Sequence, residues 1–282
     1  MIERCFIAAL LLLFALPCAA QERFTPIPPL PLGDALLNLP TARIPIEGEW
    51  EVRFTHRFTQ AINRGDVHSL WGLDGGADVG IGLSWAVRPF LQFSITRSSL
   101  LDDVELAGRY VLVQQAPAFP VSASVRGGVD IRTDRGAKDR SSFFAQAIVS
   151  HQFANRRAEL FLVPSVVTHA GPFETAVNVP LGAAWALKPT LFLVAELFPV
   201  NRDLPEGLRS DVGWAVGIKR AIGGHYFEVM ISDTRATLVD QYVPGAFLCD
   251  ERNQCAGIEG GDLHLGFNIV RKFGRRVGSR GR

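Results

Sequence analysis

Downstream of residue 20 the chain has no apolar run long enough to cross a membrane as a helix, which takes about 18 residues or more. Charge of one sign is missing too. Lys and Arg number 29 against 28 Asp and Glu, a formal net charge of +1. The basic residues are not gathered with aromatics on one face, so nucleic-acid binding has no support. Cysteine is scarce, at four in 282 residues, and two of these, Cys5 and Cys18, lie in the first twenty. The histidines His56, His68, His151, His169, His225 and His264 are scattered. No Gly-x-Ser-x-Gly elbow and no HExxH motif occurs, which removes the two simplest routes to a hydrolase. Asp74-Gly75-Gly76-Ala77-Asp78 lacks the longer ligand series, ending in Glu, that a calcium loop requires, and reads as a Gly-rich turn. No catalytic residue, metal or cofactor is expected.

What is present begins with a leader. Residues 1–20, MIERCFIAALLLLFALPCAA, have a short n-region with Arg4, an apolar h-region and a small-residue end at Ala19-Ala20. That is the pattern of a cleaved signal peptide. Export places Cys249 and Cys255 in an oxidising space, where a local disulfide is the natural reading and zinc the weaker one. Residues 21–48 are rich in Pro and Leu, and the prolines argue against a helix or central strand. This segment is expected to be an extended periplasmic lead-in.

From residue 49 the chain alternates. In EWEVRFTHRFT, Trp50, Val52, Phe54 and Phe58 share one parity, while Glu49, Glu51, Arg53 and Arg57 share the other. Successive side chains of a strand point to opposite faces, so one face is apolar and the other charged. About twelve such segments follow: 49–59, 77–87, 91–99, 104–114, 121–133, 142–153, 158–169, 177–187, 191–198, 211–220, 225–232 and 262–273. Short connections alternate with longer, more polar ones. The pattern predicts an all-β fold, a closed antiparallel transmembrane β-barrel over 49–273, with a basic tail at 274–282. Trp50, Trp85 and Trp185 fall near the short-turn end, where an interfacial aromatic girdle belongs. Trp85-Ala86-Val87-Arg88-Pro89 and Trp185-Ala186-Leu187-Lys188-Pro189 repeat one hairpin device.

Several stretches resemble a bacterial outer-membrane β-barrel family of unknown function: His56-Arg57-Phe58, Gly72 to Asp78, Phe144-Ala145-Gln146-Ala147, Gly223 to Phe227 and Gly266 to Phe273. The resemblance runs from about Leu39 to Phe273. It implies a barrel and carries no catalytic residues. The final strand, with Phe273 near its end, resembles the signal that barrel assembly machinery reads, although four arginines follow in Gly274 to Arg282. Outer-membrane lipid and that machinery are the partners expected.

Parity assigns the lumen-facing charges: Glu49, Glu51, Arg53, Arg57, Asp78, Glu105, Arg109, Arg126 and Asp130. Arg132, Glu159, Glu196, Lys219 and Glu228 share the inward parity. Eight strands make a barrel filled by its own side chains and sixteen leave an aqueous channel, so about twelve permits a filled interior or a narrow pore. Arg53 and Arg57 are expected to pair with carboxylates such as Asp78, because buried charges are costly alone. The chain thus reads as a narrow outer-membrane channel or structural barrel without catalysis. The alternatives are a lipid-acting barrel enzyme, which needs a Ser–His pair at the outer rim, and a soluble exported β-barrel that binds a small apolar ligand.

Overall fold

The computed structural model describes residues 27–133, 141–170, 173–199, 209–248 and 262–274. The leader, the tail and both Cys249 and Cys255 lie outside the described residues. The strands are β1 (Trp50–Phe58), β2 (Ala77–Arg88), β3 (Leu91–Ser98), β4 (Asp103–Val113), β5 (Ser122–Arg132) and β6 (Ser141–Phe153). Next come β7 (Ala158–Leu162), β8 (Ser165–Ala170), β9 (Phe173–Asn178), β10 (Leu181–Lys188) and β11 (Leu191–Phe198). The chain ends in β12 (Arg209–Asp211), β13 (Gly213–Ile222), β14 (His225–Ser232), β15 (Ala246–Leu248) and β16 (His264–Phe273). Between β14 and β15 lies one helical turn, α1 (Val239–Tyr242).

Fourteen strands form one antiparallel sheet, and pairing of β5 with β6 closes it. Two of the twelve walls of this barrel are broken strands. β7 and β8 form one, interrupted at Val163-Pro164; β9 and β10 form the next, interrupted at Val179-Pro180. The alternation predicts strands 158–169 and 177–187 running through Pro164 and Pro180, and the structure breaks both there. Proline has no N–H to give to a ladder, so the ladder stops there. The two breaks lie side by side: Leu162 pairs with Leu181 and Ser165 with Asn178, while Val163 N donates to Pro180 O at 2.9 Å. β12 and β15 form a separate two-stranded sheet that the alternation did not reveal.

The outward side chains form an apolar belt. Ile81, Phe93, Phe143, Leu160, Val177, Ile218 and Val229 are exposed, each between about half and two thirds of full. Water-soluble monomers rarely expose such a continuous apolar surface. Trp50 and Trp85 face each other across β1 and β2 and stack with ring centroids 5.0 Å apart. Trp85 and Trp185 each stand three residues before the end of their strand, at the end of the barrel that carries the short turns.

The inner wall is of two kinds. β1 to β5 and β16 line it with charged and polar groups. β7, β10 and β11 line it with Phe161, Ala184, Phe192, Val194 and Phe198, all buried. This apolar half was not foreseen. In β11 both faces are apolar, and Glu196 alone marks the inward parity as polar.

Close packing inside gives one testable contrast. A Cβ added at Gly128 would meet Leu106 O at 2.1 Å and Phe144 Cζ at 2.7 Å, whereas at Gly127 the nearest atom is Phe144 O at 3.4 Å. Gly128→Ala should destabilise the barrel by about 1–3 kcal/mol through overpacking, and Gly127→Ala should be near neutral. Urea unfolding in detergent micelles measures both. Equal effects would refute this register.

Candidate functional site

Two segments that do not belong to the wall fill the lumen. The first is the Pro/Leu-rich segment before β1. It does not lie extended outside the barrel. Leu32, Leu36, Leu37 and Leu39 have no exposed surface, and Leu30 is buried with them in the cluster that contains Phe161 and Phe192. Five leucines have a reason to leave water, and the apolar half of the lumen receives them. Asp34 to Thr41 form a small hairpin: Ala35 bridges Pro40, Leu36 N donates to Leu39 O at 2.8 Å, and Thr41 N donates to Asp34 O at 2.9 Å. Gly182 on β10 makes room for it, since a Cβ there would stand 2.4 Å from Leu36 Cδ1.

The tip of the hairpin is held by the wall. Glu196 Oε1 accepts the backbone N–H of Leu37, Asn38 and Leu39, each at 2.8 Å, and its Oε2 accepts Asn38 Nδ2 at 2.9 Å. The hairpin carbonyls are met by cations. Lys219 Nζ donates to Ala35 O at 2.6 Å and Leu36 O at 2.9 Å. Arg53 and Asn268 donate to Leu37 O. Arg109 donates to Asp34 O at 2.9 Å, Thr41 O at 3.3 Å and Arg43 O at 2.7 Å. Arg57 donates to Asn38 Oδ1 at 2.7 Å and Asn268 Oδ1 at 2.8 Å, and Arg43 of the segment is ion-paired with Glu159. The tip amides of Leu36 to Leu39 and the carbonyls of Ala35, Leu36, Leu37 and Leu39 thus find partners, as burial demands.

The second segment is the connection after β14. Val239, Asp240, Gln241, Tyr242 and Val243 are buried, so this connection folds into the barrel from the long-loop end. Gln241 Nε2 donates to Leu100 O at 3.1 Å and Asp103 Oδ2 at 2.9 Å. Arg132 meets Asp240 at 3.3 Å, and Gln146 Nε2 donates to the Tyr242 hydroxyl at 3.0 Å. Between the two segments remains a cavity of about 90 Å³, bordered by Asn38, Glu51, Glu105, Arg126, Leu238 and Tyr242. It has room for a few waters.

The residues assigned to the lumen by parity can now be placed. Glu51, Arg57, Glu105, Arg109 and Asp130 are buried inside, with Arg53 and Arg126 nearly so. Glu49 is not among them. It precedes β1 at the rim, where its carboxylate accepts from Ile46 N at 3.2 Å, because the alternation extends one residue beyond the ladder. Asp78 does not pair with Arg53 or Arg57. It meets Arg235 of the inward-folded connection at 2.6 Å, while Arg53 meets Glu228 at 3.0 Å. Glu105 is paired with Arg126. Asp130 is buried, and among the described residues neither of its carboxylate oxygens has a hydrogen-bond partner. Sequence reasoning missed Asp34, Asn38, Asp240 and Gln241. Only the leucine content of the first segment pointed toward burial.

Four of the six histidines are engaged elsewhere. His56 stacks on Phe267 at 4.7 Å, His151 Nδ1 lies 2.6 Å from Pro120 O, His264 Nδ1 lies 3.0 Å from Phe58 O, and His225 meets Arg271.

Residues 33–273 match the family described as membrane bound beta barrel domain (DUF5777). The chain belongs to that family. The matched span includes the lumen hairpin as well as the wall. No curated protein matches the chain. Among solved structures it is similar to an outer membrane channel from Pseudomonas putida F1, with 11% identity and a TM-score of 0.49 over 82% of this chain and 97% of that one. It is also similar to the NanC porin, with 6% identity and a TM-score of 0.46 over 80% and 99%. A third likeness is to outer membrane phospholipase A from Escherichia coli, with 11% identity and a TM-score of 0.43 over 81% and 91%.

Charge inside the two plugging segments sets their pH response. Burial alone would raise the Asp34 carboxyl; its hydrogen bond with Glu51 and the charges of Arg109, Arg53 and Lys272 outweigh that and hold it below the usual carboxylate range. At Asp240, burial and then the Asp103 charge push the pKa up to about 7 from 3.8, against the pull of Arg132. A raised carboxyl pKa favours the seated connection at low pH, and that advantage is lost as pH rises through about 7. Amides of residues 238–243 should therefore exchange with solvent more readily at pH 8 than at pH 5.5, after correction for intrinsic rates. Asp240→Asn should remove the difference, and a wild type without pH dependence would contradict the assignment. At the other end, Glu196→Ala leaves three buried amides without an acceptor, at about 1–3 kcal/mol each. Exchange at Leu37, Asn38 and Leu39 should rise sharply in that variant; unchanged protection would show that Glu196 does not hold the hairpin.

Proposed function

We propose that the protein is a narrow outer-membrane channel without catalysis, closed at rest by the lumen hairpin from one end and the inward-folded connection from the other. One observation carries this reading. The wall of twelve spans is wider than its own side chains fill, and the space is closed by two separate segments bound through hydrogen bonds and ion pairs. A purely structural barrel needs no such removable filling. Polar contacts of this kind exchange with water at small net cost, which suits a closure that opens. The short-turn end and the Trp level support a hairpin that enters from the periplasmic side. The reading extends to export through a leader at residues 1–20, cleaved on the way, to insertion by barrel assembly machinery, and to a disulfide between Cys249 and Cys255.

Planar-bilayer recording tests it. Wild-type protein should show small, infrequent openings. Glu196→Ala should raise the open fraction several-fold, because the hairpin loses its anchor while the wall is kept. If both stay silent although fully folded by heat-shifted gel migration, the channel reading fails and a structural barrel remains.

A further inference from the structure

The hairpin does more than fill space: it places a carboxylate at one defined point on the wall. Asp34 Oδ2 accepts from Gln92 Nε2 at 3.0 Å and from Ser84 Oγ at 3.3 Å. Arg109 reaches the same residue through its backbone oxygen at 2.9 Å. These three wall residues are neighbours. Gln92 on β3 pairs in register with Arg109 on β4 and with Ala86 on β2, two residues from Ser84. Ser84, Gln92 and Arg109 are all buried.

Arg109 is the telling residue. Arg53 and Lys219 both share Glu228, so each keeps a carboxylate partner if the hairpin leaves. The hydrogen bonds of Arg109 go to Asp34 O, Thr41 O and Arg43 O, all carbonyls of the hairpin segment. Without the hairpin, Arg109 is a guanidinium facing the lumen beside two neutral donors. Glu51 faces the same point, with Lys272 3.7 Å from it, so the local balance without Asp34 stays positive. A guanidinium flanked by an amide and a hydroxyl donor matches a carboxylate in charge and geometry.

We propose that Ser84 and Gln92, with Arg109 beside them, form a carboxylate-binding subsite of the lumen, that Asp34 fills it as a built-in surrogate, its carboxylate on the two neutral donors and its backbone carbonyl on Arg109, and that the channel passes small organic carboxylates. The proposal rests on the channel reading above and adds the class of solute. Opening exchanges one carboxylate for another at this point, so a solute carboxylate competes with closure.

The full-length chain carrying Asp34→Ala provides the test, with acetate as the probe. Chloride at equal ionic strength and neutral acetamide are the controls. In planar bilayers Asp34→Ala should open more often than wild type, favour anions in a salt gradient, and show saturable block of chloride current by acetate but not by acetamide. Adding Arg109→Gln should abolish the acetate block and reduce the anion preference. Acetate and acetamide acting alike, a cation preference, or a block that survives Arg109→Gln would overturn the proposal. If Asp34→Ala and wild type are both silent, the channel reading itself falls. Urea unfolding then decides the subsite independently. Acetate should protect Asp34→Ala more than chloride does, with no such difference in the double variant, and equal protection would reject the subsite.

Discussion

One carboxylate organises the lumen. Glu196 projects from an otherwise apolar strand and accepts three consecutive amides at the tip of the hairpin. A buried carboxylate without partners is costly, and so are three buried amides without an acceptor. Each solves the problem of the other. This contact fixes the height of the hairpin, and with it the leucines against Phe161 and Phe192, and the carbonyls before Arg53, Arg109 and Lys219. The division of the inner wall into an apolar and a charged half follows the same logic. The apolar half receives the leucine side chains, and charged residues, Glu196 included, receive the backbone.

The opposite end is built differently. There the charge is acidic, with Asp103, Glu105 and Asp130 of the wall and Asp240 of the connection gathered around Arg126 and Arg132 of the wall. Among the described residues there, carboxylates outnumber guanidiniums, and Asp130 has no hydrogen bond to either oxygen. The two closures therefore differ in what loosens them. The hairpin is held through its backbone groups by charged wall side chains, chiefly Glu196, Lys219 and Arg109, and proton uptake by Asp240 bears on the inward-folded connection. Opening from the two sides is separable in physical terms.

Much of the wall was legible in the sequence. Alternation of period two, the alternating connection lengths and the Trp50, Trp85 and Trp185 level are local signals, and a barrel in lipid is made of local signals repeated. Pro164 and Pro180 were visible as well, and the ladder breaks where the missing N–H falls. The filling was not legible. Asp34 meets Gln92, Asn38 meets Glu196, and Gln241 meets Asp103, across separations that no local pattern encodes. Proline in residues 21–48 suggested an extended chain, yet only Pro40 falls within the hairpin, where it bridges Ala35, and the leucines were the better guide. Glu49 misled because a charge alternation can outlast the strand that uses it.

The central claim is that the segment before β1 closes the barrel from within. Arg43 reports on it most directly, since it lies in that segment, is buried, and is ion-paired with Glu159 on the inner wall. Trypsin applied to the folded protein in micelles or vesicles should leave the Arg43–Ile44 bond intact, while the heat-unfolded protein is cut there. Rapid cleavage after Arg43 with the barrel still folded would put the segment outside the lumen and contradict the account.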